Sequence, residues 1–286
     1  MYKASESPFN TFAVIPTGLS KLDTILGTGG IPLRKITEIS GKWSVGKSTL
    51  ALMVVESAQH HGYKTLWVDT EYSFDEKYAS SLGVNCDELD LIQEPYAEAF
   101  LDATEEWART HKKGLIVLDS VGGLLPKEEA EKGAEGRVIG GQAKLIAAFV
   151  RRMVPTIAVQ NHALLVLNHE LIDIMSGNLK TSGGAKLEFH RSLWLSMRKA
   201  GKRVMKGEDQ IGEMIYSEVK KNKLAGTVKQ SCEITMIYGK GFSKEADLLD
   251  QLIASGEVTK KGNTFYRGEV KLGVGLNAAR EALKTI

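Results

Sequence analysis

The chain has 286 residues, of which 43% are hydrophobic and 25% are charged, with 29 glycines and only 6 prolines. This balance excludes a disordered or fibrous protein, and the length favours one main domain with small additions. The formal net charge of +2 does not by itself indicate a nucleic-acid partner. A DNA-binding surface would therefore have to come from local clusters of basic residues.

The sequence carries no export or membrane signal. Its first residues contain no apolar stretch of signal-peptide length, and no segment approaches the ~20 apolar residues that span a bilayer. Cys86 and Cys232 lie far apart and lack metal-ligand neighbours. That spacing favours two thiols in a reducing compartment over a disulfide or a zinc site. We expect a cytoplasmic protein, in the host cytoplasm if it is viral, without a membrane partner.

The first part of the chain predicts an α/β sheet. Residues 1–34 form a polar lead-in with an amphipathic turn from Leu22 to Leu26. From Lys35 onward, short apolar or β-branched runs alternate with longer segments of helical period. The predicted strands are Ile36 to Ser40, Thr65 to Asp69, Leu89 to Ile92, Leu115 to Asp119 and Ala163 to Asn168. Such alternation predicts mostly parallel strands joined by helices that cover both faces of the sheet.

The pattern changes after Arg191. Strand-like runs are then separated by basic, glycine-bearing turns that are too short for crossover helices, which predicts antiparallel hairpins. These runs are Ser192 to Met197, Glu213 to Val219 and Cys232 to Tyr238. A helix from Asp247 to Ala254, short strands near Phe265 and a final helix from Asn277 predict a small C-terminal α/β lobe. We therefore divide the chain into a lead-in (1–34), a core (35–245) and a lobe (246–286).

A phosphate-binding loop is the strongest motif. Residues Gly41 to Thr49 read GKWSVGKST and satisfy GxxxxGK[ST], between a predicted strand and a predicted helix. We expect its backbone N–H groups to donate hydrogen bonds to phosphate oxygens. Lys47 would contact the β- and γ-phosphates, and Ser48 would be a ligand of Mg²⁺. The alternative is a structural glycine-rich turn. The predicted ATP-binding set of this loop is Gly41, Lys42, Trp43, Ser44, Val45, Gly46, Lys47, Ser48 and Thr49.

Two carboxylates could complete an ATP-hydrolysing site. Asp119 ends an apolar strand, which is the form of the second Mg²⁺ anchor in P-loop enzymes, although Asp also caps helices. Glu71 follows the strand that ends at Asp69 and is our candidate general base for the attacking water. Its alternative is an ordinary surface carboxylate.

With these motifs in order, the chain resembles the RecA family from about Ile15 to the C-terminal lobe. The lead-in IPTGLSKLD and the segment TGGIP before the phosphate strand are similar to those of bacterial members. The resemblance implies a RecA-type P-loop ATPase core with a hairpin extension. It supports Glu71 as the catalytic base, and it implies that Asp75 and Tyr78 contact the adenine of ATP.

The resemblance also implies two DNA-binding loops. In the first, Ile139 would wedge between bases, and Lys144 and Arg151 would contact DNA, unless this stretch is only a solvated loop and helix. In the second, Ser182, Gly183 and Gly184 would approach a nucleic-acid phosphate. At this loop Glu170 and Asp173 replace basic family positions, which leaves the electrostatics of the second loop open.

Three further positions are assigned by the resemblance alone. His169 stands where the family has a γ-phosphate-sensing Gln, and a histidine there would make sensing pH-dependent. Lys221 and Lys223 correspond to lysines that reach the γ-phosphate of a neighbouring subunit's ATP. The alternative for them is a basic hairpin on a solvated sheet edge. Tyr238 and Gly239 correspond to a segment that packs on adenine.

The implied function is an ATP- and Mg²⁺-dependent recombinase that forms helical filaments on single-stranded DNA and pairs that strand with homologous duplex DNA. Its ATP hydrolysis would be stimulated by DNA. The segment around Phe9 and Phe12 is either a short docking element between subunits or a disordered tail. The alternatives are a RecA-fold helicase or accessory ATPase, and a non-catalytic mediator that ATP switches.

Overall fold

A computed structural model describes residues 3–7, 9–132, 140–172, 179–225 and 230–283. Within these ranges the strands are β1 Val14–Ile15, β2 Ile31–Pro32, β3 Ile36–Gly41, β4 Lys64–Asp69, β5 Leu89–Ile92, β6 Gly114–Asp119, β7 Ala163–Ile172, β8 Leu179–Thr181, β9 Arg191–Lys206, β10 Asp209–Asn222, β11 Ser231–Ile237, β12 Gly241–Phe242, β13 Val258–Lys261, β14 Thr264–Arg267 and β15 Val270–Val274. The helices are α1 Ser20–Leu26, α2 Lys47–His60, α3 Glu76–Ser81, α4 Ala97–Thr110, α5 Lys127–Glu131, α6 Gly141–Gln160, α7 Gly184–His190, α8 Lys244–Ala254 and α9 Leu276–Leu283.

The central sheet has the predicted mixed character. Its strands lie in the order β12, β11, β10, β9, β3, β7, β6, β4, β5, with β8 paired to β7. The neighbours from β9 to β5 are parallel, and those from β12 to β9 are antiparallel. β9 therefore joins the parallel core to the hairpin extension. The predicted α/β class is confirmed.

Apolar side chains cover both faces of the parallel strands, because successive residues of a strand point to opposite faces. In β6, Leu115 and Val117 join the cluster that contains α1 and α2. Ile116 and Leu118 join the opposite cluster, with residues of α4 and α6. This double burial explains why the central strands are near-continuous apolar runs. The parallel pairing of β3, β7, β6 and β4 places their carboxyl ends at one edge of the sheet.

Strands β9 and β10 extend well beyond the apolar runs that predicted them. Past Met197, β9 continues through charged residues such as Lys199, whose Nζ lies 2.9 Å from the carboxylate of Glu213 on β10. Apolar periodicity reports burial, whereas backbone pairing can continue where the side chains face solvent. The predicted strand end at Met197 was therefore wrong, although the predicted antiparallel hairpin is confirmed.

The C-terminal lobe is tied to the lead-in by its first helix. β13, β14 and β15 form an antiparallel sheet that packs with α8 and α9 around a small apolar cluster. The carboxylate of Asp247 in α8 accepts hydrogen bonds from the backbone N–H groups of Ser20, at 2.5 Å, and of Lys21, at 3.2 Å. Lys21 Nζ also lies 2.7 Å from Asp250 Oδ2. A carboxylate of the lobe thus caps α1.

A buried histidine lies where β7 begins. His162 is 0% exposed, and its Nε2 lies 3.0 Å from the carbonyl oxygen of Ala108 and 3.1 Å from that of His111. Two carbonyl acceptors identify Nε2 as the nitrogen that carries the hydrogen of a neutral ring. Burial lowers the pKa of His162, although these carbonyl groups oppose the shift.

We expect this histidine to make the fold sensitive to acid. As the pH falls below ~6.5, the unfolded chain binds a proton that the folded chain resists, so the free energy of unfolding falls. Urea unfolding at about pH 7.5 and about pH 5.5 would measure this change in the free energy of unfolding. His162→Gln should be less stable than wild type near neutrality yet lose less stability on acidification. The exposed His60→Gln should keep the wild-type pH dependence. An unchanged pH dependence in His162→Gln would contradict this prediction.

Within the described ranges, no helix is both long and apolar enough to cross a membrane.

Candidate active site

The segment between β3 and α2 has the conformation that a phosphate-binding loop requires. Gly46, which precedes α2, has a φ of 84°. A Cβ there would lie 2.9 Å from the sulfur of Met236 and 2.9 Å from the ring of Phe242. Glycine is therefore required at position 46 by the backbone and by the packing. The first N–H groups of α2 have no partner within the helix, which makes its start suitable for a phosphate.

Lys47 lies across its own loop. Its Nζ donates hydrogen bonds to the carbonyl oxygen of Gly41, at 3.1 Å, and to that of Lys42, at 2.9 Å. The residue is only 8% exposed. Burial lowers the pKa of Lys47, while the carboxylates of Asp119 and Glu71 oppose that shift. The ammonium group is thus held by the loop and attracted by the two carboxylates.

Ser48 and Asp119 form an oxygen pair that fits Mg²⁺. Asp119 ends β6, is 6% exposed, and interacts with the side chain of Ser48 through a hydrogen bond. Burial raises the pKa of Asp119 to about 6, and the Ser48 hydrogen bond acts in the opposite direction. Mg²⁺ in nucleotide sites takes oxygen ligands, usually one or two carboxylates with substrate phosphates and water. These two side chains supply such ligands.

Glu71 is oriented by the end of β6. Its Oε1 accepts a hydrogen bond of 2.5 Å from Ser120 Oγ and lies 3.4 Å from His169 Nε2. Thr70 fastens the segment, because its hydroxyl donates to the carbonyl oxygen of Ser120 at 2.7 Å and accepts from the N–H of Ser120 at 2.9 Å. The Asp119–Ser120 peptide bond is cis. Glu71 is therefore held in place while its side chain stays 39% exposed.

Asp69, the other carboxylate at the end of β4, has a structural role. Its oxygens accept hydrogen bonds from the N–H groups of Ser73, at 3.1 Å, and Phe74, at 3.0 Å, and from Gln93 Nε2, at 2.8 Å. The residue is 0% exposed. Asp69 thus shapes the segment that carries Glu71, which leaves Glu71 as the carboxylate at this strand end that can face water.

A cavity of about 550 Å³ brings most of the predicted nucleotide residues together. Its lining includes Trp43, Ser44, Gly46, Lys47, Ser48, Thr49, Glu71, Tyr78, Asp119, His169, Tyr238 and Gly239. Trp43 is 77% exposed and lies at the rim. Three chain segments far apart in sequence therefore supply a cation, an oxygen pair and a candidate base to one space.

The side predicted to hold adenine contains Tyr78 and Tyr238. The hydroxyl groups of Tyr78 and Thr49 are 2.9 Å apart, which ties α3 to the first turn of α2. Asp75 is engaged differently, since its Oδ1 accepts a 3.0 Å hydrogen bond from the N–H of Tyr78 and caps α3. A local structural role thus accounts for Asp75, and its contact with adenine stays a prediction.

Lys221 and Lys223 lie away from the cavity lining, at the end of β10. Lys221 Nζ donates to the carbonyl oxygen of Glu188, and Lys223 Nζ donates to that of Phe189. Both carbonyl groups belong to the last turn of α7, where cations are favoured by the helix dipole. Within one chain these lysines therefore cap a helix. A role at a neighbouring subunit's ATP stays a prediction.

The predicted DNA-binding residues are only partly described. Lys144 and Arg151 are exposed on α6 and lie two turns apart on one face. Ile139, like Asp173 of the second loop, lies outside the described residues. Gly183 and Gly184 have φ values of 100° and 73° where α7 begins. The positive φ values give a structural reason for glycine at these two positions. Their contact with DNA stays a prediction.

Comparison with known proteins decides the family. A family model described as the RecA N-terminal domain matches residues 2–243. The chain belongs to the RecA family. "Protein RecA" of Thermus thermophilus is 36% identical over 285 residues, which are 99% of this chain and 84% of that protein. "Protein RecA" of Aquifex pyrophilus is 38% identical over 272 residues, 94% of this chain and 78% of that protein.

RecA membership makes this chain a RecA-type recombinase, for which filament formation and strand exchange are expected. Against that family background, sequence reasoning missed the roles of Thr70, Ser120 and Asp69. The position of Ser120 directly after Asp119 was a usable signal, because the next residue of a strand end lies beside the same site. The glutamate chosen as base and the serine that holds it are 49 residues apart, and nothing local in the sequence pairs them.

Proposed function

We propose that this chain is a DNA-stimulated ATPase of the RecA type. It assembles in the cytoplasm as a helical filament on single-stranded DNA and exchanges that strand with homologous duplex DNA. The observation that carries the proposal is the convergence of Lys47, the Ser48–Asp119 pair and Glu71 on one cavity. ATP with Mg²⁺ is the ligand whose phosphates, metal and attacking water these groups match.

The proposed division of labour follows from the geometry. Lys47 leaves its loop carbonyl partners for the β- and γ-phosphates, where it neutralises developing charge. Ser48 and Asp119 would hold Mg²⁺, which would supply positive charge that stabilises the phosphates. Glu71, held by Ser120, orients the attacking water and accepts its proton. His169, 3.4 Å from Glu71 Oε1, is close enough to respond when a γ-phosphate enters.

Two alternatives make different predictions. A RecA-fold helicase would unwind duplex DNA during ATP hydrolysis, and a mediator would bind ATP without turnover. The oriented Glu71 favours turnover over mere switching, because a switch needs no carboxylate held towards the phosphate end of the site. The similarity to "Protein RecA" over 99% of this chain favours strand exchange over unwinding.

Electron microscopy on single-stranded DNA with a non-hydrolysable ATP analogue, combined with a strand-exchange assay, tests the proposal. We expect helical filaments with the analogue and heteroduplex product with ATP. A duplex with a noncomplementary tail serves as the helicase control and should not be unwound. Filaments without exchange would favour the mediator, and unwinding without exchange would favour the helicase.

The shared-site hypothesis for Lys221 and Lys223 predicts complementation. Neutralising both lysines should leave ATP binding by isolated subunits nearly intact, since Lys47, Ser48 and Asp119 belong to the same chain. DNA-dependent turnover should fall, because the γ-phosphate would lose two charge-assisted contacts in a partly dehydrated interface. Mixing Lys221→Ala/Lys223→Ala subunits with Lys47→Ala subunits should restore measurable turnover at the interfaces that join two intact halves.

The control for this mixture is Lys202→Ala/Lys206→Ala, which removes two basic residues from exposed positions of β9. This control variant should keep DNA-dependent ATP turnover when no Lys47→Ala subunits are added. Co-assembly must be checked by sedimentation on DNA. No recovery of turnover in co-assembled filaments would contradict lysines that act in trans.

A further inference from the structure

A second cavity lies where the core meets the C-terminal lobe. Its volume is about 770 Å³, larger than that of the nucleotide cavity. The core contributes residues of α2, α3 and the strands β9 to β12, and the lobe contributes α9. Among the described residues, the two cavities share only Ile237 and Tyr238. This space, called here the core–lobe cavity, therefore lies beside the proposed ATP site and is distinct from it.

The charged side chains of the core–lobe cavity are mostly basic. Its cations are Lys206, Lys240, Lys244 and Arg280, and its carboxylates are Glu245 and Glu281. Lys244 is already neutralised, because its Nζ lies 2.8 Å from Glu56 Oε2. Glu245 is also engaged, since its Oε2 accepts a 2.9 Å hydrogen bond from Ser243 Oγ. The remaining three cations exceed the two carboxylates, which favours an anionic ligand.

Arg280 has a buried donor that lacks a partner. It lies on α9, and its Nε has no hydrogen-bond partner among the described residues. Burial lowers the pKa of this guanidinium, although the carboxylates of Asp250 and Glu245 oppose the shift. A buried donor without an acceptor costs free energy. A guanidinium pairs well with phosphate oxygens, so an oxyanion in the cavity would compensate for this loss.

Other parts of the lining are apolar. Leu82, Ile211 and Ile237 line the cavity and are each partly exposed. Met53 and Phe242 complete the apolar lining and are only 3% and 2% exposed. Removal of an apolar group from water against such side chains is favourable. A ligand that fits this cavity therefore combines an anionic group with an apolar or aromatic group.

We propose that the core–lobe cavity binds a small phosphate monoester that carries an aromatic or apolar group. Arg280 pairs with the phosphate, and the exposed Lys206 and Lys240 add positive charge beside it. The aromatic or apolar group lies against the side chains of Leu82 and Ile211. Because the cavity has walls from both parts of the chain, the bound ligand connects the lobe to the core. This binding site goes beyond the proposed ATPase and does not depend on it.

Isothermal titration calorimetry with phenyl phosphate tests the proposal. The full chain is first saturated with Mg²⁺ and a non-hydrolysable ATP analogue, so that the nucleotide cavity is occupied. We expect saturable binding of one phenyl phosphate per chain. Inorganic phosphate and phenol, which each carry one half of the probe, should bind more weakly. Arg280→Met should weaken the binding of phenyl phosphate by about tenfold or more, because hydrogen bonds to a charged group are lost.

The matched control is Arg267→Met, which makes the same substitution on β14 of the lobe. Arg267 lies outside the cavity lining, and its Nη2 is 3.5 Å from Glu257 Oε2. This control should bind phenyl phosphate as tightly as wild type. Arg280→Lys keeps the charge without the planar guanidinium and should bind with intermediate affinity. Lys240→Met, at an exposed position, should weaken binding by a smaller factor and decides the matter if Arg280→Met does not fold.

Three results would overturn the inference. The first is the absence of saturable binding of phenyl phosphate. The second is wild-type affinity in folded Arg280→Met, or in Lys240→Met if Arg280→Met does not fold. The third is displacement of phenyl phosphate by the ATP analogue, which would place the probe in the nucleotide cavity. An analogue that does not bind would contradict the proposed function alone, since wild type and Arg280→Met can be compared without it.

Discussion

Lys47→Ala is expected to abolish ATP turnover. The ammonium group is buried beside the nucleotide loop, where the carbonyl oxygens of Gly41 and Lys42 hold it until a phosphate competes for it. A methyl group cannot neutralise the charge that develops on a transferred phosphate. We expect turnover to fall by on the order of 10³-fold or more, the scale reported for cationic stabilisation in phosphoryl transfer. Phosphate release with saturating single-stranded DNA measures it.

The control for Lys47→Ala is Lys64→Ala, at the start of β4 and the opposite end of that strand from Glu71. It should keep wild-type turnover. Thermal unfolding by circular dichroism must show that Lys47→Ala is folded, because the loss of two loop hydrogen bonds could loosen the loop. Unchanged ATP turnover in folded Lys47→Ala would contradict the proposed ATP site.

Glu71→Gln is expected to separate ATP binding from ATP hydrolysis. Glutamine has the same shape and can still accept the hydrogen bond from Ser120 Oγ, so the loop should keep its conformation. It cannot accept a proton from water. We expect turnover to fall by on the order of 10²-fold or more, as general bases usually contribute, while affinity for an ATP analogue stays within a factor of ~2.

The control for Glu71→Gln is Glu76→Gln, an exposed carboxylate in the first turn of α3. It makes the same substitution five residues along the chain and should leave turnover unchanged. Wild-type ATP turnover in Glu71→Gln would show that Glu71 is not the general base. A parallel loss of ATP affinity would assign Glu71 a binding role in place of a catalytic one.

The sequence predicted what depends on local pattern. The phosphate-binding loop, the apolar strand that ends at Asp119 and the alternation of strands with helices are each visible within a short window. Because parallel strands place their carboxyl ends at one edge, the order of the motifs also predicted that Glu71, Asp119 and Lys47 would meet. The structure brings all three to one cavity.

What could not be predicted depends on contacts between distant segments. Glu38 and Arg191 form a buried ion pair although they are 153 residues apart, and each looks like an ordinary polar residue in its own window. The same holds for Glu170. The sequence showed only an acidic residue at a basic family position of a DNA loop, whereas the structure places its carboxylate against the hydroxyl groups of Ser40 and Ser196. Burial of a charge is set by tertiary packing, which no local pattern contains.

The cap that Asp247 places on α1 has a consequence for hydrogen exchange. The N–H groups of Ser20 and Lys21 have their acceptor on another lobe, so their hydrogens can exchange with solvent only when that acceptor withdraws or α1 itself opens. If the lobe swings away during DNA capture while the core stays folded, these two amides should lose protection before the strands of the central sheet do. The exchange rates of these two amides would therefore report whether the C-terminal lobe is attached to α1, without an added label.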